Sequence, residues 1–145
     1  MEYYTTTSTG DLVPRENNGS LKMQVLVTDN TTLRKEDSGN TYNIATDAKT
    51  FELPAITAGN LGMQFTFRNT GANGAVALTV SPASTDGING TIANAAADST
   101  ASGVVNKNIV NTKATAKNGD YITVTAVALT KWYITGGVGI WASEA

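Results

Sequence analysis

Apolar and polar residues alternate with a period of two in a series of short runs, and no stretch sustains the 3.6-residue period of an amphipathic helix. Residues 22–28 (KMQVLVT) place Met23, Val25 and Val27 on one face and Lys22, Gln24, Leu26 and Thr28 on the other. Residues 31–40 are polar and charged and read as a surface loop. Residues 41–45 (TYNIA) form a second short strand. Residues 50–53 carry Phe51 and Leu53 inward until Pro54, which cannot donate to a ladder, stops them. The clearest run is residues 63–69 (MQFTFRN), with Met63, Phe65 and Phe67 on one face. After a Gly- and Asn-rich turn at 70–74, residues 75–81 return with Val76, Leu78 and Val80 inward. The two runs predict an antiparallel hairpin.

Further along, the pattern thins. Residues 82–90 (PASTDGING) read as turns, with Ile88 plugging the core between glycines. Residues 91–103 are small and polar and read as a long loop. Val104 to Val110 predict a strand with Val104 or Val105, Ile109 and Val110 buried. Asn118 to Trp141 then predict a closing hairpin broken at Ala128-Leu129-Thr130. Trp132 and Tyr133 are neighbours in its second strand, so one faces the core and the other faces out. Trp141 fits either a C-terminal strand folded onto the sheet or a contact between subunits. Tyr133, Ile140 and Trp141 are the candidate subunit interface.

About eight short strands separated by turn signals predict an all-β domain: an antiparallel β-sandwich, a jelly roll or a small barrel. No repeat of solenoid period is apparent. Residues 1–20 lack periodicity and read as an extended N-terminal arm preceding a sandwich at 21–145. The apolar members of the arm, Tyr3, Tyr4, Leu12 and Val13, are its candidate contacts with a partner.

Composition narrows the chemistry. Charged residues make up only 15% of the 145-residue chain and the net charge is −2. The basic residues are scattered, which argues against nucleic-acid binding. There is no cysteine and no histidine. Disulfides, thiolate metal sites and a Ser-His-Asp triad are therefore excluded. No Ser-x-x-Lys motif occurs. Asp86 and Asp120 sit in Asp-Gly and Gly-Asp turns, where local hydrogen bonding is the expected role. Asp29, Asn30, Asp37 and Asn40 are oxygen donors without EF-hand spacing. Gly136, Gly137 and Gly139 do not form a phosphate loop. The expectation is a non-enzymatic protein with no metal and no cofactor. The polar N-terminus lacks the basic and apolar regions of a signal peptide, and no apolar run reaches membrane-spanning length. Assembly in a cytoplasm, without a membrane partner, is expected.

The order of features in residues 41–141 is more specific. Tyr42 and Ile44 are followed by Phe51-Glu52-Leu53-Pro54-Ala55, then by Gly59 and Gly62 leading into Phe65-Thr66-Phe67 and Asn69. Leu78-Thr79-Val80, Asp86-Gly87-Ile88-Asn89-Gly90, Gly119-Asp120-Tyr121-Ile122 and Trp132-Tyr133-Ile134 complete it. This resembles structural proteins of tailed-bacteriophage virions, particularly head decoration (capsid cement) proteins. A turn such as Asp-Gly often precedes the Trp in that pattern; here Ala128-Leu129-Thr130-Lys131 stands instead. The resemblance implies a jelly-roll-like or β-tulip-like β-sandwich domain that forms a homotrimer on the outer surface of the capsid. Its partner would be the major capsid protein; the trimer would bridge neighbouring capsomers, with the N-terminal arm laid on the capsid surface. Some tail-fibre or receptor-binding β-modules look similar, and a carbohydrate-binding module is the remaining alternative.

Overall fold

The computed structural model describes residues 23–94 and 97–144, and the backbone of two short strands before them. Those two, β1 (Tyr3–Thr6) and β2 (Leu12–Arg15), pair antiparallel as a separate two-stranded sheet. The expected N-terminal arm thus contributes two short paired strands. The remaining strands form two sheets packed face to face.

Six strands alternate strictly between the sheets. β3 (Gln24–Val27), β5 (Thr41–Ile44) and β7 (Gln64–Asn69) lie in one; β4 (Thr31–Thr32), β6 (Lys49–Glu52) and β8 (Leu78–Ser81) lie in the other. Each chain bend crosses the core instead of folding back in plane, so β3, β5 and β7 run parallel, as do β4, β6 and β8. The result is three stacked arches. Asx side chains tie one bend to the next: Thr50 N–H donates to Asn30 Oδ1 at 3.0 Å, and Ala77 N–H to Asp47 Oδ1 at 2.8 Å. Unequal arch lengths (Gln24 pairs Thr41, which pairs Thr66) explain why no sequence period is visible.

The rest of the chain completes both sheets. β9 (Gly87–Ile92), β10 (Ser99–Val105), β12 (Tyr121–Ala128) and β13 (Lys131–Val138) extend the first to seven strands, ordered β10-β9-β13-β12-β7-β5-β3. β11 (Ile109–Asn111) and β14 (Trp141–Ser143) extend the second to five, ordered β14-β11-β8-β6-β4. Among the described residues a single 3-10 turn, Lys35–Asp37, lies in the predicted surface loop.

The all-β sandwich is thus the fold, but its sheets are mixed where antiparallel pairing was expected. The expected hairpin of 63–69 with 75–81 does not form. β7 pairs β5 and β12, whereas β8 pairs β6 and β11 across the core. Asn69, buried at the bend, holds the crossing: its Nδ2 donates to Val76 O at 3.0 Å and its Oδ1 accepts from Gly71 N–H at 3.0 Å. The stretch read as turns and a long loop contains β9 and β10. Small residues are required there because these strands approach closely; a Cβ on Gly87 would lie 2.2 Å from Gly103 O. In consequence Val104 and Val105 are exposed, and Ser99 and Ala101 face inward. Ile109 is buried as expected, while Val110 is half-buried.

The core follows the alternation. Phe51 from the five-stranded sheet packs against Tyr42 and Phe67 of the other, with ring centroids 5.4 and 4.9 Å away. Trp132 packs on Phe65 at 5.9 Å, beside Ile122, Val124 and Met63. Each fully buried side chain of this kind contributes roughly 1.5–3 kcal/mol. The Trp132 indole N–H is buried without a protein acceptor.

Candidate interaction surfaces

Three regions of the molecule bear on function. The first is the end of the sandwich at the β12–β13 turn. A register shift between Ala126 and Ala128 turns Val127 outward, and Leu129 occupies the two-residue turn beside Thr130. Leu129 is 56% exposed, and Thr130 adopts a positive φ of 62°, unfavourable for a β-branched residue. Backbone contacts bring more aliphatic side chains to the same end. Gly62 N–H donates to Ala126 O at 2.8 Å, setting exposed Leu61 beside Val127. Gly87 N–H donates to Thr130 O at 2.9 Å, and Val105 pairs with Gly87. Leu61, Val127, Leu129, Val104 and Val105 therefore form an aliphatic rim. Sequence reasoning missed it as a surface; its one visible signal was the aliphatic residue in place of an Asp-Gly turn.

The second is the outer face of the seven-stranded sheet. One row runs across the strands through Ser102, Asn89, Tyr133, Thr125 and Gln64. The adjacent row runs through Thr123, Thr66, Thr41 and Gln24. A third holds Tyr121, Arg68 and Asn43, ending at Val138 on one side and Leu26 on the other. Cross-strand hydrogen bonds lace the rows: Thr66 to Thr123 at 2.8 Å, Gln64 Nε2 to Thr125 at 3.1 Å, and Thr125 to the bulged Thr135 at 2.9 Å. The Arg68 guanidinium sits 5.9 Å from the Tyr121 ring centroid.

The third is the bend before β14, where Ile140 and Val138 line a cavity of about 400 Å³ with Ala93, Thr115 and Lys117. The predicted subunit-interface residues are not brought together. Tyr133 points out from the large sheet, 37% exposed, and Ile140 lies at this bend. Trp141 takes the first of its two readings, a C-terminal strand folded onto the sheet, for it is 2% exposed in the core and so is not open to a neighbouring subunit. Its backbone N–H donates to Ser99 Oγ at 3.0 Å and its indole N–H to Val138 O at 3.1 Å. Of the arm residues, Tyr3 pairs with Arg15, Tyr4 with Pro14, Val13 with Thr5 and Leu12 with Thr6 through the backbone. Their side chains, and so the predicted arm contacts, lie outside the described residues.

The carboxylates singled out as turn formers have structural partners. Asp86 is fully buried; its Oδ2 accepts from Ile56 N–H at 2.9 Å and its Oδ1 from the Thr85 hydroxyl at 3.1 Å. Asp120 accepts from Lys117 N–H and from Asn111 Nδ2, both at 3.0 Å. Asn111 Oδ1 in turn accepts from Asn69 Nδ2 at 2.8 Å, so a buried polar chain joins the arch bend to the closing hairpin. Two of the oxygens considered for calcium are likewise used within the fold: Asn30 Oδ1 accepts from Thr50 N–H, and Asp37 Oδ2 accepts from Arg34 N–H at 2.9 Å. Among the described residues no group of three or more acidic side chains is placed to hold a metal ion. No helix among them is long and apolar enough to cross a membrane. At the surface, Lys113 donates to Asp47, and that bond, with Ala77 N–H, holds the Asp47 carboxyl below its usual range. Burial pushes the Tyr42 phenol up.

No protein-family model matches the chain, and no curated protein matches it.

Proposed function

We propose that this chain is a structural virion protein that decorates and cements the outer surface of a tailed-phage capsid. It is made in the host cytoplasm and acts as a homotrimer that bridges neighbouring subunits of the major capsid protein. It catalyses no reaction. The observation that carries this reading is the aliphatic rim at the β12–β13 end. Five large aliphatic side chains lie exposed on loops and strand ends, where water contact is unfavourable unless another protein covers them. The residues that carry the resemblance to decoration proteins agree with a scaffold role, since Phe65, Phe67, Ile88, Ile122 and Trp132 are all core. In this reading the rim meets protein, and residues 1–20 are laid along the shell. Trimeric placement then multiplies weak contacts through effective concentration.

The test is cosedimentation of the purified protein with empty expanded heads, with copy number per shell as readout. Val127→Ser with Leu129→Ser should keep the parent melting temperature and bind at least ~10-fold more weakly, the loss of about 1.4 kcal/mol that two exposed aliphatic contacts supply. Deletion of residues 1–19 should leave a folded trimer that no longer binds. Parent-level binding by both variants would overturn the reading.

A further inference from the structure

The outer face of the seven-stranded sheet is unlike the rim. Its three rows are built almost wholly from hydroxyl and amide side chains, and Arg68 is the single charge in them. We infer that this face is a binding platform for a neutral polysaccharide, with Tyr133 as the stacking ring. The inference stands apart from the cementing role, because it uses a different surface and a different chemistry.

The argument is one of complementarity. A polyanion such as nucleic acid requires several cations to neutralise its phosphates; these rows supply one, already set over the Tyr121 ring, and Lys131 at their edge on β13 adds one more. A protein partner would require an apolar centre. Large aliphatic residues occur in the rows only at their margins, Leu26 and Val138. A sugar needs the combination present: an aromatic ring open to solvent for the apolar face of the pyranose, ringed by groups that both donate and accept hydrogen bonds. Tyr133 is 37% exposed and lies between Asn89 and Thr125 on neighbouring strands, with Gln64 beyond. Outward positions repeat about every 4.8 Å across the strands, close to one sugar unit of an extended glycan, so successive units can meet successive side chains.

The face is also preorganised. The hydroxyl pairs Thr66–Thr123 and Thr125–Thr135 and the Gln64–Thr125 bond fix rotamers before any ligand arrives. Less side-chain freedom is then lost on binding. Each threonine keeps further hydrogen-bonding capacity after its cross-strand bond is made, because a hydroxyl offers one donor and two acceptor sites.

The experiment is NMR titration of the full chain with cellohexaose, maltohexaose, mannohexaose and chitohexaose, with heparin as the charged control. At least one neutral hexasaccharide should shift the amides of Asn89, Thr125 and Tyr133. Tyr133→Ala should weaken that binding at least ~10-fold (about 1.4 kcal/mol), while Tyr133→Phe retains it. The Val127→Ser, Leu129→Ser variant, expected to weaken head binding, should keep the sugar binding of the parent, which separates this test from that of the cementing role. The inference is overturned if no neutral sugar shifts these amides, if heparin binds as well as the best of them, or if Tyr133→Ala dissociates the trimer and so assigns the face to a copy–copy contact.

Discussion

The buried polar chain at the arch bend makes the sharpest stability prediction. Asn69 is 1% exposed and uses its amide fully: two donated bonds, to Val76 O and Asn111 Oδ1, and one accepted from Gly71 N–H. Asn69→Ala removes all three and strands each partner away from water. A lost intramolecular hydrogen bond costs about 1 kcal/mol net, and each buried group left unsatisfied costs roughly 1–3 kcal/mol. Because relaxation and water entry recover part of that, the expected loss is about 3–5 kcal/mol. That is a large share of the ~5–15 kcal/mol that holds a typical domain folded. With a urea m-value of roughly 2 kcal/mol/M, the unfolding midpoint should fall by about 2 M, with m unchanged. Asn69→Asp should cost as much or more, since it loses both donors and sets a carboxylate toward Asn111 Oδ1 and the nearby Asp120. A loss below about 1 kcal/mol for Asn69→Ala would refute the reasoning, because these bonds would then contribute no more than surface contacts do.

Two further predictions concern other parts of the fold. Asp47 has a folded-state pKa held below its usual value, chiefly by the hydrogen bond from Lys113. Its contribution to stability is therefore present above the ordinary carboxylate range and lost as pH falls through the lowered value. Lys113→Ala should move the Asp47 carboxyl back toward its usual pKa in an NMR titration; an unmoved pKa would show that Ala77 N–H alone is responsible. Gly87→Ala places a methyl 2.2 Å from Gly103 O, so β9 and β10 must separate. A cost of about 2–3 kcal/mol and faster hydrogen exchange in both strands are expected, and wild-type exchange rates would show that the two strands are less closely apposed.

In residues 50–53, 63–69, 75–81 and the closing hairpin, the alternation of polar and apolar residues determined, by itself, which side chains lie inside. Phe51, Phe65, Phe67, Leu78, Val80, Ile122 and Val124 are all buried, and Trp132 and Tyr133 divide between inside and outside as neighbours on a strand must. The all-β class was equally legible, because no segment carries a helical period. What a period of two cannot encode is the partner across the ladder. Backbone hydrogen bonding is nearly indifferent to side-chain identity, and a Gly-Asn bend suits an in-plane hairpin as well as an arch that crosses the core. Tertiary packing made that choice, and with it the parallel pairing of β3, β5 and β7. It also converted a stretch of small polar residues into β9 and β10, where close approach of the backbones, and not burial of large side chains, selects the residues. Trp141 was open between core and contact until Ser99, from a distant strand, and Val138, three residues before it, supplied its hydrogen-bond partners. The candidate surfaces divide in the same way. The exposure of one residue of the Trp132–Tyr133 pair was legible in the sequence. The threonine rows around Tyr133 and the aliphatic rim at Leu129 exist only because strand register brings together residues from opposite ends of the chain.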